Sequence, residues 1–479
     1  MTRIVVLTSR ENFAYYGTLE MLTSLEATWQ NRADHHYEIL IFNIDTMTLA
    51  ELTPKLIGAE KLVVTCFNYR MCKVVQYIRE ILKLNLSFVI YVQNLATIAF
   101  WPYRYFASSE LFFESDVFVA SCKSDQLVLE AVFKNPIVHV LPFPGPALSQ
   151  NKDKVLQKTQ SILYIGRLTP QKNLHNLILA YSLLKKSSSE KIPPLIFFGK
   201  EDALGSPNMN LRFDFYLDFL KDLCAKLGIQ DDVYFKGYID DVLINDLLTR
   251  ATSLFISPSL QSDENFSRTA LRALVGHNQT ILSGWGGYND LENHFAEKIE
   301  FLPVTLAEYG PTISAGTIAQ AITKCLDQNF NLPQFDLPTF YHESHYNKEL
   351  ENVLDHEFSA APLRFTELAD KIYEAKMDFS TSSTQIFSAF NDPLFLDMSR
   401  FYLRNQDSFT EVTEPEYLGV PWMAYENETF VIKDPHKGQI RIANQISSQA
   451  AHTIVLSDLS KVPTDKKICA LLFRNGFIN

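Results

Sequence analysis

The chain has 479 residues, more than a single compact core usually contains, so we expect two domains of ordinary size with an added segment. Hydrophobic residues make up 47% of the sequence, which is enough to fill such cores. The formal net charge of −12 excludes a chain-wide positive field of the kind that gathers nucleic acid, so nucleic acid is not an expected partner. Any anion must be bound by a local group of cations.

Cysteine spacing and apolar content exclude further classes. The cysteines form no C-x-x-C pair and lie near no histidine cluster, so neither a zinc site nor a disulfide framework is indicated. We expect reduced, mostly buried thiols at Cys66, Cys72, Cys122, Cys224, Cys325 and Cys469. No stretch reaches the roughly 20 apolar residues of a membrane span, and the N-terminus lacks a secretory signal. The expected location is therefore the cytoplasm.

Short apolar runs recur along the first part of the chain. They predict strands at 3–9, 37–43, 60–67, 86–94, 115–121 and 136–144, with helical spacing between some of them at 19–29 and 70–84. Apolar strands that alternate with amphipathic helices are typical of a parallel sheet covered on both faces. We therefore predict an N-terminal Rossmann-like domain over 1–155.

The alternation starts again after a polar stretch at 148–160. Predicted strands lie at 161–168, 193–199, 232–239, 253–259 and 279–284, and predicted helices lie at 173–186, 213–228, 241–251, 267–276 and 314–328. This pattern predicts a second Rossmann-like domain over 156–335. Two such domains facing each other bind ligands at the carboxyl ends of their strands.

The pattern weakens beyond 335. Residues 336–377 are predicted to be helical and to cross back to the first domain. After a Ser/Thr-rich break, residues 378–479 are predicted to form an accessory region whose strands and final helix, 464–478, follow the order of a winged-helix module. Such modules bind proteins or peptides as well as DNA, and the acidic chain makes DNA the poorer partner.

Two cations follow the first strand of the second domain, in GRLTPQKN (166–173). Gly166 permits an unusual backbone turn, and Arg167 and Lys172 lie in the loop between strand and helix. A guanidinium and an ammonium in that place can hold a diphosphate. The alternative is a solvated loop with surface cations, and the local spacing favours neither.

An acid and a helix N-terminus follow the strand at 253–259. Glu264 lies in the loop, and Asn265, Phe266 and Ser267 come at the start of the helix. The N–H groups of a first helical turn and the helix dipole form a site for phosphate oxygens. Glu264 beside them can accept hydrogen bonds from sugar hydroxyls; alternatively, it is a stabilising acid of a first helical turn.

Several segments in this region together resemble a known family. In chain order they are ILYIGRLTPQKNLHNLILAYSLL, AKLGIQDDVYFKGYIDDVLINDLLTRATSLFISPS and SDENFSRTALRALVGHNQTILSGWGG. In this order and spacing they resemble the retaining family-4 glycosyltransferases of the GT-B fold, over about 156–300. The resemblance is looser over the first domain and absent over the end of the chain. It implies an α/β fold with two facing, doubly wound, Rossmann-like domains and a C-terminal accessory region.

The resemblance also implies roles at the matching positions. Arg167 and Lys172 stand where the family holds the donor diphosphate, and Glu264 stands at the first acid of a Glu, seven residues, Glu motif that contacts the donor sugar. The implied catalytic residues are therefore Arg167, Lys172 and Glu264. The implied donor-binding positions are Gly17, Gly166, Gly237, Tyr238, Ile239, Asn265, Phe266, Ser267 and Arg272.

The sequence departs from the family pattern at three places. Arg272 stands where the second motif acid receives the ribose hydroxyls, Asn265 replaces a glycine, and Gln93 or Asn94 takes the place of a histidine near the reacting sugar. Arg272 has two interpretations. It either joins a cationic phosphate pocket with Arg268, Arg167 and Lys172, or it pairs with a structural acid such as Asp263 or Asp290.

The implied activity is transfer of a sugar from a nucleotide-diphosphate sugar to an unidentified saccharide, lipid-linked or protein acceptor, with retention of configuration and without a metal or cofactor. The alternative is a non-catalytic partner subunit or sugar-nucleotide sensor, because an acid and a histidine are missing. A carbohydrate-phosphate-processing enzyme is a less favoured class. The helix at 70–84 carries Arg70, Lys73, Arg79 and Lys83, so it is either solvated or in peripheral contact with an anionic membrane.

Overall fold

A computed structural model of the chain defines the architecture. The structure describes residues 2–10, 16–33, 36–66, 69–92, 111–145, 160–201, 212–213, 216–250, 253–261, 264–276, 278–307, 310–327, 337–369, 400–404, 422–426, 429–434 and 438–443. The chain divides into two compact units. The first comprises Met1–Gly145 and Pro338–Ser382, and the second comprises Pro146–Leu337 and Ser383–Asn479.

Six parallel strands form the sheet of the first unit, in the order β2-β1-β3-β4-β5-β6. They are β1 Thr2–Thr8, β2 Tyr37–Asn43, β3 Lys61–Val64, β4 Ser87–Val92, β5 Val117–Ala120 and β6 Ile137–Val140. Every residue of β4 and β5 is buried, as expected for strands covered on both faces. All six predicted strands are present.

Helices connect these strands. They are α1 Tyr16–Asn31, α2 Leu49–Leu56, α3 Tyr69–Gln76 and α4 Lys123–Val132, and a π-helical turn, Tyr77–Leu82, continues α3. The hydroxyl of Thr48 accepts a hydrogen bond from the Glu51 amide while the Glu51 side chain accepts one from the Thr48 amide, so a capping box starts α2. The sequence pattern missed α2 and α4, which are only 8 and 10 residues long.

The cations of the segment at 70–84 do not share one exposed face. Arg79 is buried, and its guanidinium binds both carboxylate oxygens of Asp116 at 2.6 and 2.8 Å. The rings of Phe88 and Phe113 lie 3.6 and 4.0 Å from the guanidinium carbon. The proposed membrane-contacting surface therefore cannot include Arg79, because its charge is neutralised inside the unit. Among the helices that the structure describes, none is long and apolar enough to cross a membrane.

The segment after Pro338 joins the first unit. Its helix, Glu343–Leu354, places Tyr346 Oη 3.1 Å from Tyr91 Oη at the end of β4. Beyond the helix, isolated bridges pair Phe113 with Pro362 and Phe133 with Phe365. Helix and bridges attach this segment to the strands and loops of the first unit. The last residues of the predicted helical segment lie outside the described residues.

The second unit repeats the architecture. Its strands are β7 Ser161–Ile165, β8 Leu195–Phe198, β9 Arg212–Phe213, β10 Val233–Phe235, β11 Ser253–Ser257, β12 Gln279–Ser283 and β13 Ile299–Leu302. All but β9 form a parallel sheet in the order β10-β8-β7-β11-β12-β13. Counted within the sheet, this is the Rossmann order 3-2-1-4-5-6, in which the direction of winding reverses between β7 and β11.

The helices of the second unit lie close to their predicted positions, except α9, which the sequence pattern missed. They are α5 Leu174–Ser187, α6 Tyr216–Leu227, α7 Asp241–Arg250, α8 Arg268–Val275, α9 Glu292–Phe295 and α10 Ala315–Asp327. The sequence pattern missed β13, whose four residues include the half-buried Glu300. The strand is nevertheless in register with β12, with Ile281 opposite Glu300.

Antiparallel strands complete the second unit. A hairpin joins β14 Thr305–Ala307 to β15 Gly310–Thr312, and a separate sheet contains β16 Trp422–Glu426, β17 Thr429–Asp434 and β18 Gly438–Ala443. This separate sheet has the order β16-β17-β18-β9, so β9 of the Rossmann-like part forms one of its edges. The final helix predicted at 464–478 lies outside the described residues, and the winged-helix assignment stays a prediction.

The predicted α/β fold class with two Rossmann-like domains is confirmed by the two six-stranded parallel sheets. The five cysteines within the described ranges, Cys66, Cys72, Cys122, Cys224 and Cys325, are buried thiols, as expected. Burial raises the pKa of Cys224 and of Cys325 to about 12, so neither thiol ionises near neutral pH.

Candidate functional site

The loops that follow β7 and β11 meet at the point where the second sheet reverses its direction of winding. The Leu260 amide, after β11, donates a hydrogen bond of 2.8 Å to the carbonyl of Gln171, after β7. Ligands of open α/β sheets bind outside the carboxyl ends of the strands at such a point. The fold therefore places the two predicted motifs in the position where this architecture forms a site.

Glycines allow three neighbouring loops to approach closely at this edge. A Cβ on Gly199, which has φ of +152°, would lie 1.8 Å from the Gly166 carbonyl oxygen. The Gly199 amide also donates to the carbonyl of Gly237 at 2.8 Å, and Gly237 itself has φ of +73°. Gly166 and Gly237 were predicted at the donor site, and the structure connects them through Gly199, which the sequence reasoning did not select.

Lys172 and Glu264 form an ion pair across the two loops. The Lys172 ammonium lies 2.6 Å from Glu264 Oε2 and 3.2 Å from Ser259 Oγ. The side chains are 12% and 9% exposed, so little solvent screens their interaction. Among the described residues, no donor reaches Glu264 Oε1. The predicted diphosphate cation and the predicted sugar-binding acid are thus in direct contact, and one carboxylate oxygen remains available as an acceptor.

Arg167 is held by the loop after β11. Its Nη2 donates to Gln261 Oε1 at 2.9 Å, and the Tyr164 hydroxyl donates to the Arg167 carbonyl at 2.7 Å. The backbone carbonyl of Gln261 accepts a hydrogen bond of 2.7 Å from the indole Nε1 of Trp285, after β12. Gln261 therefore connects Arg167 to Trp285.

Gly286 and Gly287 pack directly against the backbone of the loop that carries Glu264. A Cβ on Gly286, which has φ of +60°, would lie 2.4 Å from the Glu264 carbonyl oxygen, and one on Gly287 would lie 1.7 Å from that of Asn265. The Gly287 amide donates to the Glu264 carbonyl at 2.6 Å. Only glycine permits such close contact, so the glycine pair determines where the backbone of Glu264 lies.

Two buried phenols interact electrostatically with the carboxylate of Glu264. Burial, together with the charge of Glu264, raises the pKa of Tyr164 and of Tyr288 well above the ordinary value for tyrosine. The Tyr288 hydroxyl lies 2.7 Å from Ser257 Oγ. Both phenols stay neutral at physiological pH and add no negative charge to a site proposed to hold an anion.

The N-terminus of α8 lies in the same loop. Ser267 is the N-cap residue, and its hydroxyl accepts a hydrogen bond of 3.2 Å from the Ala270 amide. Asn265 is buried and Phe266 is partly exposed, both between Glu264 and this cap. The first turn of α8 is thus next to Lys172 and Glu264, although Ser267 itself already binds one of its amides.

Arg272 pairs with an acid that neither interpretation named. Its Nη1 donates to Asp241 Oδ1, in the first turn of α7, and the two side chains are 5% and 26% exposed. The contact is of the kind that the interpretation as a structural ion pair expects. The pair links α8 to α7, directly after the loop that carries Gly237, Tyr238 and Ile239.

The loop after β10 presents an exposed aromatic side chain. Tyr238 is 44% exposed, and the Lys200 ammonium lies 5.1 Å from the centroid of its ring. Ile239 beside it is half-buried. Both residues lie at the carboxyl edge of the second sheet, two strands away from β7. Their assignment to the nucleotide base stays a prediction.

Other predicted residues lie elsewhere. Gly17 is in the first turn of α1, within the first unit, and its role stays a prediction. Gln93 and Asn94, the candidates for the missing histidine, lie outside the described residues, as does Asp263. The sequence reasoning did not select Gln261, Trp285, Tyr288 or Asp241 for the site. Their contacts cross three loops, and no local spacing signals them.

Part of the chain is similar to known proteins. Residues 149–307 match the family model described as glycosyl transferases group 1. Mannosylfructose-phosphate synthase of Agrobacterium fabrum is 28% identical over 174 residues, which are 34% of this chain and 36% of that protein. An uncharacterised glycosyltransferase of Methanocaldococcus jannaschii is 28% identical over 142 residues, or 30% and 32% of the two chains. The matched region thus spans about a third of these relatives.

Solved structures support the fold alone, because their sequence identity is low. Sucrose-phosphate synthase from Thermosynechococcus elongatus superposes with a TM-score of 0.50 and 13% identity, over 80% of this chain and all of that one. A trehalose-6-phosphate synthase superposes with a TM-score of 0.51 and 11% identity, over 75% of this chain and all of that one. The chain therefore has the GT-B type of fold, and its residues 149–307 carry the sequence pattern of the group 1 glycosyl transferases.

Proposed function

We propose that the protein is a glycosyltransferase that takes a sugar from a nucleotide-diphosphate sugar and transfers it to an acceptor with retention of configuration. One observation carries the proposal. Lys172, Arg167 and Glu264 come from two separated motifs, yet they lie together where the second sheet reverses its winding, next to the N-terminus of α8. This combination provides cations and helical amides for phosphate, and a carboxylate for sugar hydroxyls.

The chemistry requires stabilisation of the leaving group. In the proposed step the bond between the sugar C1 and the phosphate oxygen breaks, and a bond from C1 to the acceptor oxygen forms on the same face. The proton of the acceptor hydroxyl passes to the donor phosphate. Negative charge grows on the departing diphosphate, where Lys172 and Arg167 stabilise it in a largely desolvated site.

The ion pair with Glu264 sets the charge of the site before the donor binds. Lys172 is neutralised by Glu264 at 2.6 Å, so an incoming diphosphate competes with a carboxylate for the ammonium. Glu264 Oε1, which accepts from no described donor, would receive a sugar hydroxyl. A nucleotide sugar satisfies both groups at once, whereas inorganic phosphate satisfies only the cation.

The Arg272–Asp241 pair bears on the nucleotide end of the donor. In the family that the sequence resembles, an acid at the position of Arg272 receives the ribose hydroxyls. Here the position is a buried cation whose Nη1 binds Asp241. We propose that Asp241, which is on the first turn of α7 and partly exposed, provides the carboxylate that Arg272 does not.

A panel of nucleotide sugars tests the proposed activity. Hydrolysis or transfer is measured with UDP-, GDP- and ADP-linked hexoses, first with the native protein and then with Lys172→Ala and Glu264→Ala. A transferase turns over at least one donor. Lys172→Ala loses at least 10²-fold in turnover, the magnitude for removal of one oxyanion-stabilising donor, and Glu264→Ala also loses turnover because a sugar hydroxyl loses its acceptor. Turnover of none of the donors, or unchanged turnover in both variants, would contradict the proposal.

A non-catalytic nucleotide-sugar sensor is the second candidate. The observation that favours it is that both Lys172 and Arg272 are bound to acids of the chain itself. A sensor binds a donor in the same panel without turnover. Calorimetric titration of each donor, run beside the turnover assay, separates the two functions because binding is measured independently of chemistry.

A further inference from the structure

A short segment from the C-terminal region packs against the glycine pair of the candidate site. Residues 400–404, here called the clamp segment, form one 3₁₀ turn, Arg400–Tyr402, followed by Leu403 and Arg404. Leu403 makes an antiparallel bridge with Trp285, and the Arg404 amide donates to the Gly284 carbonyl at 3.1 Å. The clamp segment therefore extends the backbone of the loop that follows β12.

Tyr402 fills the space behind Gly286. Its ring stacks on the indole of Trp285 with centroids 5.6 Å apart, and the two side chains are 1% and 0% exposed. A Cβ on Gly286 would lie 3.3 Å from Tyr402 Cδ1 on one side and 2.4 Å from the Glu264 carbonyl oxygen on the other. Gly286 is thus held between the ring of Tyr402 and the backbone of Glu264.

Polar contacts hold the clamp segment in this place. The Asn289 side chain donates to the Tyr402 carbonyl at 3.1 Å, and the Arg404 guanidinium binds Glu292 and lies 4.4 Å from the centroid of the Phe301 ring. The Arg404–Glu292 pair is exposed and adds little stability. The buried stack of Tyr402 on Trp285 therefore contributes more to the attachment than this ion pair does.

Two series of contacts connect Tyr402 to the proposed donor site. The first passes through Gly286 and Gly287 to the backbone of Glu264. The second passes through Trp285, whose Nε1 binds the Gln261 carbonyl, to the Gln261 side chain and Arg167. Both end on residues assigned to the donor, and both depend on the position of the loop after β12.

We propose that the clamp segment positions the donor site, with Tyr402 as the positioning residue, so that the C-terminal region adjusts the affinity for the donor without touching it. The inference rests on the proposed function, since it assigns Glu264 and Arg167 to a nucleotide-diphosphate sugar. The aromatic ring of Tyr402 holds the loop after β12 in contact with the backbone of Glu264. Without it, Glu264 and Gln261 lose their shared support.

The test compares three tyrosine variants by calorimetric titration with UDP, GDP and ADP. Tyr402→Ala is expected to weaken binding of the preferred nucleotide at least tenfold, because Arg167 loses the support that it receives through Trp285 and Gln261. Tyr402→Phe, which keeps the ring, is expected to bind within twofold of the native protein. Tyr181→Ala is the matched control, because Tyr181 is fully buried in the same unit but bonds the Pro193 carbonyl near the start of β8. It should lose thermal stability without losing nucleotide affinity.

Hydrogen exchange on the native chain provides a second measurement that does not require a folded variant. If the clamp segment and the donor site are coupled, the preferred nucleotide must slow exchange in a peptide that contains the Arg404 amide, because coupling is reciprocal. Unchanged exchange there, or native affinity in a folded Tyr402→Ala protein, would overturn the inference alone. Binding of no nucleotide by the native protein would overturn both it and the proposed function.

Discussion

Two buried ion pairs, one in each unit, show how the same kind of contact serves structure or chemistry. Arg79 and Asp116 in the first unit are 3% and 0% exposed, while Lys172 and Glu264 in the second are 12% and 9% exposed. Within each pair, the nitrogen–oxygen distance is 2.6 Å. Distance and burial therefore do not distinguish them, and the difference lies in the remaining hydrogen bonds.

The Arg79–Asp116 pair is saturated. Asp116 accepts from two backbone amides as well as from Arg79, which itself donates to the carbonyls of Leu86 and Leu111. In the Lys172–Glu264 pair, one carboxylate oxygen has no described donor. A saturated pair fixes the backbone around it, whereas a pair with an available acceptor next to a helix N-terminus can exchange its partner for a ligand.

The largest effect on stability is expected from breaking the saturated pair. Asp116→Ala leaves the Arg79 guanidinium buried without its counter-charge, so the free energy of unfolding should fall by about 3–5 kcal/mol. Urea unfolding of the variant measures this loss. Glu264→Gln is the comparison, because it removes the charge of an acid that has fewer hydrogen-bond donors around it than Asp116. Equal losses of unfolding free energy in the two variants would contradict the distinction between a structural pair and a pair that can exchange its partner for a ligand.

A buried titratable group without a charged partner extends the comparison. Burial lowers the pKa of His175, whose Nδ1 lies 3.0 Å from Tyr216 Oη, to about 3. The unfolded chain, with a histidine pKa near 6.5, binds a proton between pH 6.5 and 3 that the folded chain does not. Stability therefore falls as the pH drops below 6.5, by about 2 kcal/mol at pH 5.

Unfolding at pH 7.5 and pH 5 measures this loss in the native protein and in His175→Phe. The variant cannot bind the proton, so its stability should change less between the two pH values. The substitution removes the hydrogen bond between residue 175 and Tyr216 at both pH values, so this loss cancels when the stabilities at the two pH values are compared. An equal pH dependence in both proteins would show that the pKa of His175 is the same in the folded and the unfolded chain and would contradict this account.

The Arg272–Asp241 pair differs from both other pairs, since Arg272 is buried and Asp241 is 26% exposed. A double-mutant cycle with Arg272→Ala and Asp241→Ala should give a coupling free energy of about 1 kcal/mol. If Asp241 also binds the ribose, Asp241→Ala should weaken nucleotide binding while binding of inorganic diphosphate is unaffected. Equal weakening for both ligands would remove Asp241 from the nucleotide end.

The sequence predicted the fold better than the details of the site, for a physical reason. Apolar periodicity reports burial along one element, so all the predicted strands were found, with ends shifted by a few residues. Arg167, Lys172 and Glu264 were selected because each follows a strand and because the resemblance to a known family implies roles at these positions; parallel strands bring their carboxyl ends together.

The remaining contacts depend on side chains far apart in the chain. Nothing local shows that Arg272 meets Asp241, that Gln261 joins Arg167 to Trp285, or that Tyr402 lies behind Gly286. The glycine pair was visible in the sequence, but its role required the position of the Glu264 backbone. Such contacts become visible only when loops from different strands are placed side by side.

Binding of a nucleoside diphosphate to two single variants tests the central claim most directly. If the Lys172–Glu264 pair exchanges the carboxylate for the phosphates of a donor, Lys172→Ala must weaken binding of the preferred nucleoside diphosphate at least tenfold. Glu264→Gln must strengthen it, because the competing charge is gone. If both variants bind as the native protein does, or if both weaken binding equally, Lys172 and Glu264 form a structural pair and the donor site lies elsewhere.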